Sequence, residues 1–276
     1  MVDCDRRTAT MMTLFGTLLA SGTAPLEASY TSAEPNGYMD KVPAAWKGNE
    51  QIGIVLYDHV TALDVIGPHY FLGRLAGATI HFVADSIRPI PSENGLVLTP
   101  TATFETCPKD LDVLLIGGGT AGTLAAMRDP AMLAFLRDRG ARAKWVTSVC
   151  TGSLVLGRAG LLNGYRATSH WIGRPLLKEF GAVEVDERVV FDRNRATGAG
   201  VSAGLDLALA LIQRLRPTEF AQMVQLFAEY APAPSLDSGT PDHAPPAVLA
   251  RAQDMLTGFV AGVREVAATA NDRRPG

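Results

Sequence analysis

Cys150 stands in the stretch Lys144-Trp145-Val146-Thr147-Ser148-Val149-Cys150-Thr151-Gly152-Ser153, and a thiol in that setting has the makings of a nucleophile. Residues 145–149 suit a short buried strand, and residues 153–159 suit the start of an apolar helix, so the chain must reverse between them. Gly152 gives that turn steric room. The positive end of the helix dipole and its free N–H groups favour an anion there, which makes the thiolate more accessible. Free cysteine is also among the most buried residue types, and the local sequence fits a structural thiol equally well.

The elements that would position Cys150 are legible along the chain. Residues 52–57 are a continuous apolar run, as expected of a central strand covered on both faces. Asp58-His59-Val60-Thr61 then leads into a helix expected over about 62–76. Thr61 is its expected cap and Asp64 its third residue, where a carboxylate suits the dipole and capping alone accounts for it. Gly67-Pro68 predicts a bend in that helix, and His59 and His69 read as exposed polar positions. Thr79–Ala84 forms a strand. Ile87–Ile90 and Leu96–Leu98, joined through Ser92-Glu93-Asn94-Gly95, form a hairpin, and Thr101–Phe104 adds a short strand. Leu111–Ile116 is a second fully apolar strand running into Gly117-Gly118-Gly119-Thr120. Three glycines there let backbone N–H groups approach a ligand closely, without matching G-x-G-x-x-G or a P-loop.

Asp129-Pro130 starts a helix that Gly140 ends. After the Cys150 turn, a helix closes near Gly160 and the chain continues into Ala167-Thr168-Ser169-His170-Trp171. Then come a helix at 175–180, short strands at 183–185, 188–191 and 196–197, and helices at 201–215 and 218–230. Asp206, inside an apolar helix, is expected to satisfy a neighbouring helix end. Residues 231–246 are rich in Pro, Ser, Asp and Gly and read as a surface arm, and 247–268 return to a helical pattern.

Alternation of buried strands with helices indicates an α/β fold, a three-layer αβα sandwich on a flavodoxin-like, mostly parallel sheet with a nucleophile elbow. Ligands in such folds sit outside the carboxyl ends of the strands. The end of the first strand (58–64), the Gly117–Thr120 loop and the Cys150 turn all open on that edge. A thiol, a carboxylate and a glycine-lined pocket can therefore meet in one crevice. Residues 1–48 read as an N-terminal extension, 49–230 as the α/β domain, and 231–276 as an arm and helix packing on it or on a dimer partner.

The totals exclude some classes. A net charge of −3 with no basic run gives no electrostatic case for nucleic acid. The three cysteines lack metal-type spacing, so neither a disulfide framework nor a metal site is implied, and no cofactor is expected. Cys107 lies in a Glu-Thr-Cys-Pro loop without an evident activating partner. Asp5-Arg6-Arg7-Thr8, the short apolar segment 9–20 and the small residues after it resemble a twin-arginine export signal, which points to the periplasm; a cytoplasmic protein with a simple N-terminal extension is the alternative. The apolar segment is too short to span a bilayer, and no membrane partner is expected.

Ile116-Gly117-Gly118-Gly119 after one strand and Ser148-Val149-Cys150-Thr151-Gly152-Ser153 at the next elbow resemble the DJ-1/PfpI superfamily of class I glutamine amidotransferase-like folds. Four pieces narrow the resemblance to its isonitrile hydratases: Leu63-Asp64-Val65-Ile66-Gly67-Pro68, Thr147–Leu156, Ala167-Thr168-Ser169-His170-Trp171, and Tyr230-Ala231-Pro232-Ala233-Pro234 with Asp237-Ser238-Gly239. The resemblance covers about residues 50–250. It implies conversion of a small isonitrile, or a similar electrophile, to an N-substituted formamide, with Cys150 as nucleophile and Asp64 and Thr151 as the other required positions. A homodimer is expected, with the arm crossing the interface or rimming the crevice. Many superfamily members carry His after the nucleophile and Glu at the acidic position. Thr151 and Asp64 stand there here, which weakens a protease or amidotransferase reading.

The groups suit that chemistry. Cys150 would attack the terminal carbon while a protonated Asp64 supplies its proton, and water would then release the formamide from a thioimidate. Asp64 must then be partly protonated near neutrality, about 2–3 units above its ordinary pKa, and must titrate with the thiol as a pair. Backbone N–H groups at Gly118, Gly119 and Thr151 are the candidate oxyanion stabilisers. His170 is a candidate base or, more simply, a structural histidine beneath the pocket. The rivals are a glyoxalase- or deglycase-like enzyme, a peroxide-reactive thiol, and a ligand-sensing domain without its DNA-binding part.

Overall fold

The computed structural model describes residues 41–271, so Cys4 and the twin arginine lie outside the described residues. A seven-stranded sheet forms the middle layer, in the order β10-β11-β7-β6-β1-β2-β5. Its strands are β1 (Gln51–Val55), β2 (Thr79–Ala84), β5 (Ala102–Thr103), β6 (Val113–Ile116), β7 (Trp145–Val149), β10 (Val189–Asp192) and β11 (Arg195–Gly198). All neighbouring pairs are parallel except β10 with β11. Ile54 pairs with Phe82 on one side and Leu115 on the other, and Leu115 in turn with Thr147. Every residue of β6 is fully buried, which explains why the central strands are uninterrupted apolar runs.

Helices cover both faces. On one, α1 (Ala62–Leu72) packs on α5 (Ala203–Leu215), and α5 on α6 (Thr218–Phe227). On the other, α2 (Ala121–Arg128) packs on α3 (Pro130–Gly140), α4 (Gly152–Arg158) and α8 (Thr257–Asn271), with a 3₁₀ helix over Arg174–Phe180 beside α4 and α8. Phe259, Val263, Val266 and Ala267 give α8 one buried stripe at helical spacing.

Several local expectations need correction. The 62–76 helix ends at Leu72, and turns lead on to Gly77 at φ +86°. Thr61 makes no cap bond; its hydroxyl donates to Glu93 Oε2 at 2.7 Å instead. Pro68 lies inside α1, where its missing N–H leaves the Asp64 carbonyl without its helical donor. His69 is half-buried, its ring 4.9 Å from that of Phe82, because α1 lays it on β2. The 183–185 segment forms only Val183–Glu184 (β9) and pairs with Arg166–Ala167 (β8) outside the main sheet. The hairpin shrinks to Ile90–Pro91 (β3) against Val97–Leu98 (β4). Residues 247–268 break at Leu256 into α7 (Pro246–Met255) and α8.

A buried ion pair ties the segment before β1 to the end of α5. Arg216 Nη1 and Nη2 donate to Glu50 Oε1 and Oε2 at 2.5 and 2.7 Å, and its Nε donates to the Trp46 carbonyl at 2.8 Å. Removing one member of such a pair strands the other. Arg216→Met is expected to destabilise the fold by about 3 kcal/mol in urea unfolding, and the double variant with Glu50→Gln by less.

Candidate active site

β7 ends at Val149 and α4 begins at Gly152, and Cys150 takes the turn between them at φ +58°. Left-handed backbone is uncommon outside glycine and persists only where the surroundings impose it. They do so here. The Cys150 N–H donates to the Ala199 carbonyl at 2.7 Å, and its carbonyl accepts from Ser169 Oγ at 3.0 Å and Ser153 Oγ at 3.1 Å. Gly152 is needed because a Cβ there would lie 2.5 Å from the Ile116 carbonyl oxygen.

The glycine loop serves the chain itself. A Cβ on Gly117 would meet Asp64 Cβ at 2.8 Å, and one on Gly118 would meet Thr151 N at 2.5 Å. Absent side chains let β6 close onto α1 and the elbow, and this brings Asp64 and Cys150 together as the sheet-edge argument requires.

Asp64 is fully buried. Its Oδ2 accepts the Gly118 N–H at 2.7 Å, while Oδ1 has no aligned partner. Burial pushes the carboxyl up to about 7 from an ordinary 3.8; the Gly118 N–H and the neighbouring Cys150 thiol oppose the rise, and the charge of Glu93 adds to it. The thiol moves the same way. Burial, then the Asp64 charge, raises Cys150 well above its ordinary 9.0, although the Thr151 N–H and hydroxyl pull against them. This corrects the expectation of a thiolate favoured by the helix. A helix of seven residues cannot offset the loss of water around sulfur. Asp64 therefore ionises first, and around neutrality the carboxyl is part-ionised while the sulfur keeps its proton.

Thr151 is also buried, and its hydroxyl is heavily engaged. Oγ1 lies 2.7 Å from the Gly119 carbonyl, 3.0 Å from the Gly119 N–H and 2.9 Å from Thr123 Oγ1. Two candidate oxyanion donors are thus committed internally, Gly118 N–H to Asp64 and Gly119 N–H to Thr151. The Thr151 N–H, which acts on the Cys150 sulfur, is the remaining candidate. Sequence reasoning missed Thr123 and Tyr57. Tyr57 is buried, its hydroxyl donates to the Gly117 carbonyl at 2.7 Å, and it lies 3.4 Å from Thr123 Oγ1. Their available signal was position: a tyrosine closing the first apolar run, and a threonine in the first turn after the glycine loop.

His170 does not meet Cys150 in a hydrogen bond. It lines a cavity of about 620 Å³ with Leu63, Ser169, Trp171, Ala199 and Gly200. Burial lowers its pKa, and its Nδ1 lies 3.4 Å from the Ile172 N–H. His170 is a wall residue of that cavity, whose lining includes neither Cys150 nor Asp64. Residues 239–243 of the arm close the far side of the cavity. Asp206 does not serve a helix end; it takes Arg188 Nε at 2.5 Å and the Tyr230 hydroxyl at 3.1 Å, which ties the arm's root to α5. Cys107 is buried, with its thiol raised by that burial. Among the described residues, no group of His, Cys, Asp or Glu is placed to hold a metal ion, and no helix is long and apolar enough to cross a membrane.

The chain is similar to known proteins. A Pseudomonas putida protein named isonitrile hydratase is 51% identical over 203 residues, 74% of this chain and 88% of that protein. The crystal structure of a ThiJ/PfpI family protein from Pseudomonas syringae superposes with a TM-score of 0.80 at 46% identity, covering 92% of this chain and 99% of that one. The transcriptional regulator GbdR of Pseudomonas aeruginosa is 29% identical over 195 residues, and the chain spans 52% of its length. The sheet order, the elbow and these likenesses converge with a family match over residues 50–214, and the chain belongs to the DJ-1/PfpI family.

Proposed function

We propose that this protein is an isonitrile hydratase, a hydro-lyase that converts an isonitrile to an N-substituted formamide. The observation that carries the reading is the buried pairing of the Cys150 thiol with the Asp64 carboxyl at the elbow, where burial raises both groups. An isonitrile carbon accepts a nucleophile and a proton at the same atom. Asp64 takes the thiol proton, sulfur forms a bond to the terminal carbon, and Asp64 delivers that proton to the carbon to give R–N=CH–S–Cys150. Water then adds to the same carbon with Asp64 as base, and the nitrogen gains a proton. Collapse expels the Cys150 sulfur, which regains its proton, and leaves R–NH–CHO. The Thr151 N–H steadies the sulfur while it carries charge. We assign the substrate's R group to the cavity lined by His170, Trp171 and residues 239–243, which adjoins the elbow through Ser169 and Ala199, both hydrogen-bonded to the Cys150 backbone.

The 51% likeness to the Pseudomonas putida protein supports this substrate class over small carbonyls. A sensor reading has support from the regulator GbdR, of which this chain spans 52%. Purified protein is expected to turn over a panel of alkyl and aryl isonitriles to formamides, followed by chromatography, and to leave methylglyoxal unchanged. Methylglyoxal turnover without isonitrile turnover selects the deglycase-like reading, and tight isonitrile binding without turnover selects the sensor.

A further inference from the structure

We propose that Thr123 is a positioning residue for the nucleophile, acting through the Thr151 hydroxyl; the inference deepens the reading above. Thr123 is fully buried in the first turn of α2, its side chain 2.9 Å from Thr151 Oγ1 and 3.4 Å from the Tyr57 hydroxyl. Proton bookkeeping assigns the directions. The Tyr57 proton goes to the Gly117 carbonyl at 2.7 Å, so Tyr57 has none for Thr123. The single Thr151 proton has the Gly119 carbonyl at 2.7 Å, and that oxygen is buried against the same loop. Thr123 must therefore donate to Thr151, and the Gly119 N–H donates to it as well at 3.0 Å.

The Thr151 oxygen accepts twice, which fills its lone pairs and leaves its proton as the one free element of the network. That proton rests on the Gly119 carbonyl, and the hydroxyl that carries it also pulls the pKa of the neighbouring Cys150 thiol down. While Cys150 is a thiol, the carbonyl is the better acceptor. Once Asp64 has taken the thiol proton, the anionic sulfur competes with that carbonyl for the Thr151 proton. Without Thr123, one lone pair opens, the hydroxyl gains alternative orientations, and the thiolate loses part of its stabilisation. A hydroxyl buried here for packing alone would not influence when sulfur ionises.

The test is the pH dependence of Cys150 alkylation by iodoacetamide, with Cys4 and Cys107 replaced by alanine, in protein carrying Thr123→Val or Thr123→Ser. Valine keeps the shape and removes the donor; serine keeps the donor. Thr123→Val is expected to raise the apparent thiol pKa by about one unit, so that alkylation at pH 8 slows about tenfold. With an accepted isonitrile it should lower kcat by a similar factor and leave KM within about twofold, and Thr123→Ser should restore both rates. If Thr123→Val fails to fold, Thr123→Ala, which creates no clash, is read in its place against the serine variant. An alkylation profile unchanged in a folded donor-less variant overturns the inference, as does a serine variant that behaves like valine. The alkylation arm needs no substrate, so it stands apart from whether isonitriles are turned over.

Discussion

Cys150→Ala is expected to reduce isonitrile hydration by at least about 10⁴-fold, to the level of the uncatalysed reaction. Among the described residues, no other group at the elbow is placed to form the bond to the terminal carbon. Asp64 is an oxygen acid committed to the Gly118 N–H, and the Thr151 hydroxyl is bound within its own network. Cys150→Ser is expected to fare little better, because a buried serine hydroxyl ionises far less readily than a thiol. The loss should not reflect unfolding. Trimming one sulfur atom from a residue that stays 5% exposed costs about 1 kcal/mol, so melting temperatures should fall by only a few degrees. Mass spectrometry of acid-quenched wild-type turnover should show a Cys150 adduct equal to the whole isonitrile mass, since the thiol proton is kept on the substrate carbon. An alanine variant that retains turnover removes the mechanism.

Asp64→Asn is expected to lower kcat by about 10³-fold, because it removes the group that moves a proton between sulfur and carbon. The wild-type kcat/KM should rise through an apparent pKa of about 7 and then level off. Below that pH Asp64 carries its own proton and cannot accept one from the thiol. The same shift sets a stability difference. A buried carboxyl with a folded pKa of about 7 holds a proton that the unfolded chain releases near 3.8, so folding stability falls as pH rises from about 4 to about 7. The interval of roughly three units corresponds to about 4 kcal/mol, carried in full above neutrality. Asparagine keeps an acceptor for the Gly118 N–H and carries no charge. The variant should therefore gain on the wild type as pH rises from 4 to 8 in parallel urea titrations. A pH-independent difference would show that Asp64 is not held protonated by its burial.

Most of the fold was legible because the sheet is buried on both faces. Continuous apolar runs at 52–57 and 111–116, each ending in a turn signal, located β1 and β6 and hence the edge where chemistry collects. The Asp129-Pro130 start was legible for a local reason, an aspartate side chain accepting the Ala131 N–H at 2.8 Å. Less was visible where side chains choose partners far away in sequence. Thr61 had every local qualification as a cap, yet its hydroxyl is drawn to Glu93, 32 residues on. The glycine loop was readable as a loop that lets backbones approach closely. Whether the approaching group was a ligand or the chain's own Asp64 and Thr151 depended on tertiary packing. Cys150 was legible in position and misread in charge, because a helix end is written in sequence and desolvation is not.

That buried, neutral sulfur has a consequence for how the protein survives while idle. Hydrogen peroxide and adventitious alkylating agents react with thiolates, and at neutral pH the resting crevice presents almost none. The anion forms only when Asp64 takes the thiol proton, and catalysis goes forward only if a guest then accepts that proton at carbon. Substrate chemistry thus arms the nucleophile, and between turnovers the same burial that makes Cys150 sluggish acts as its guard against oxidative loss.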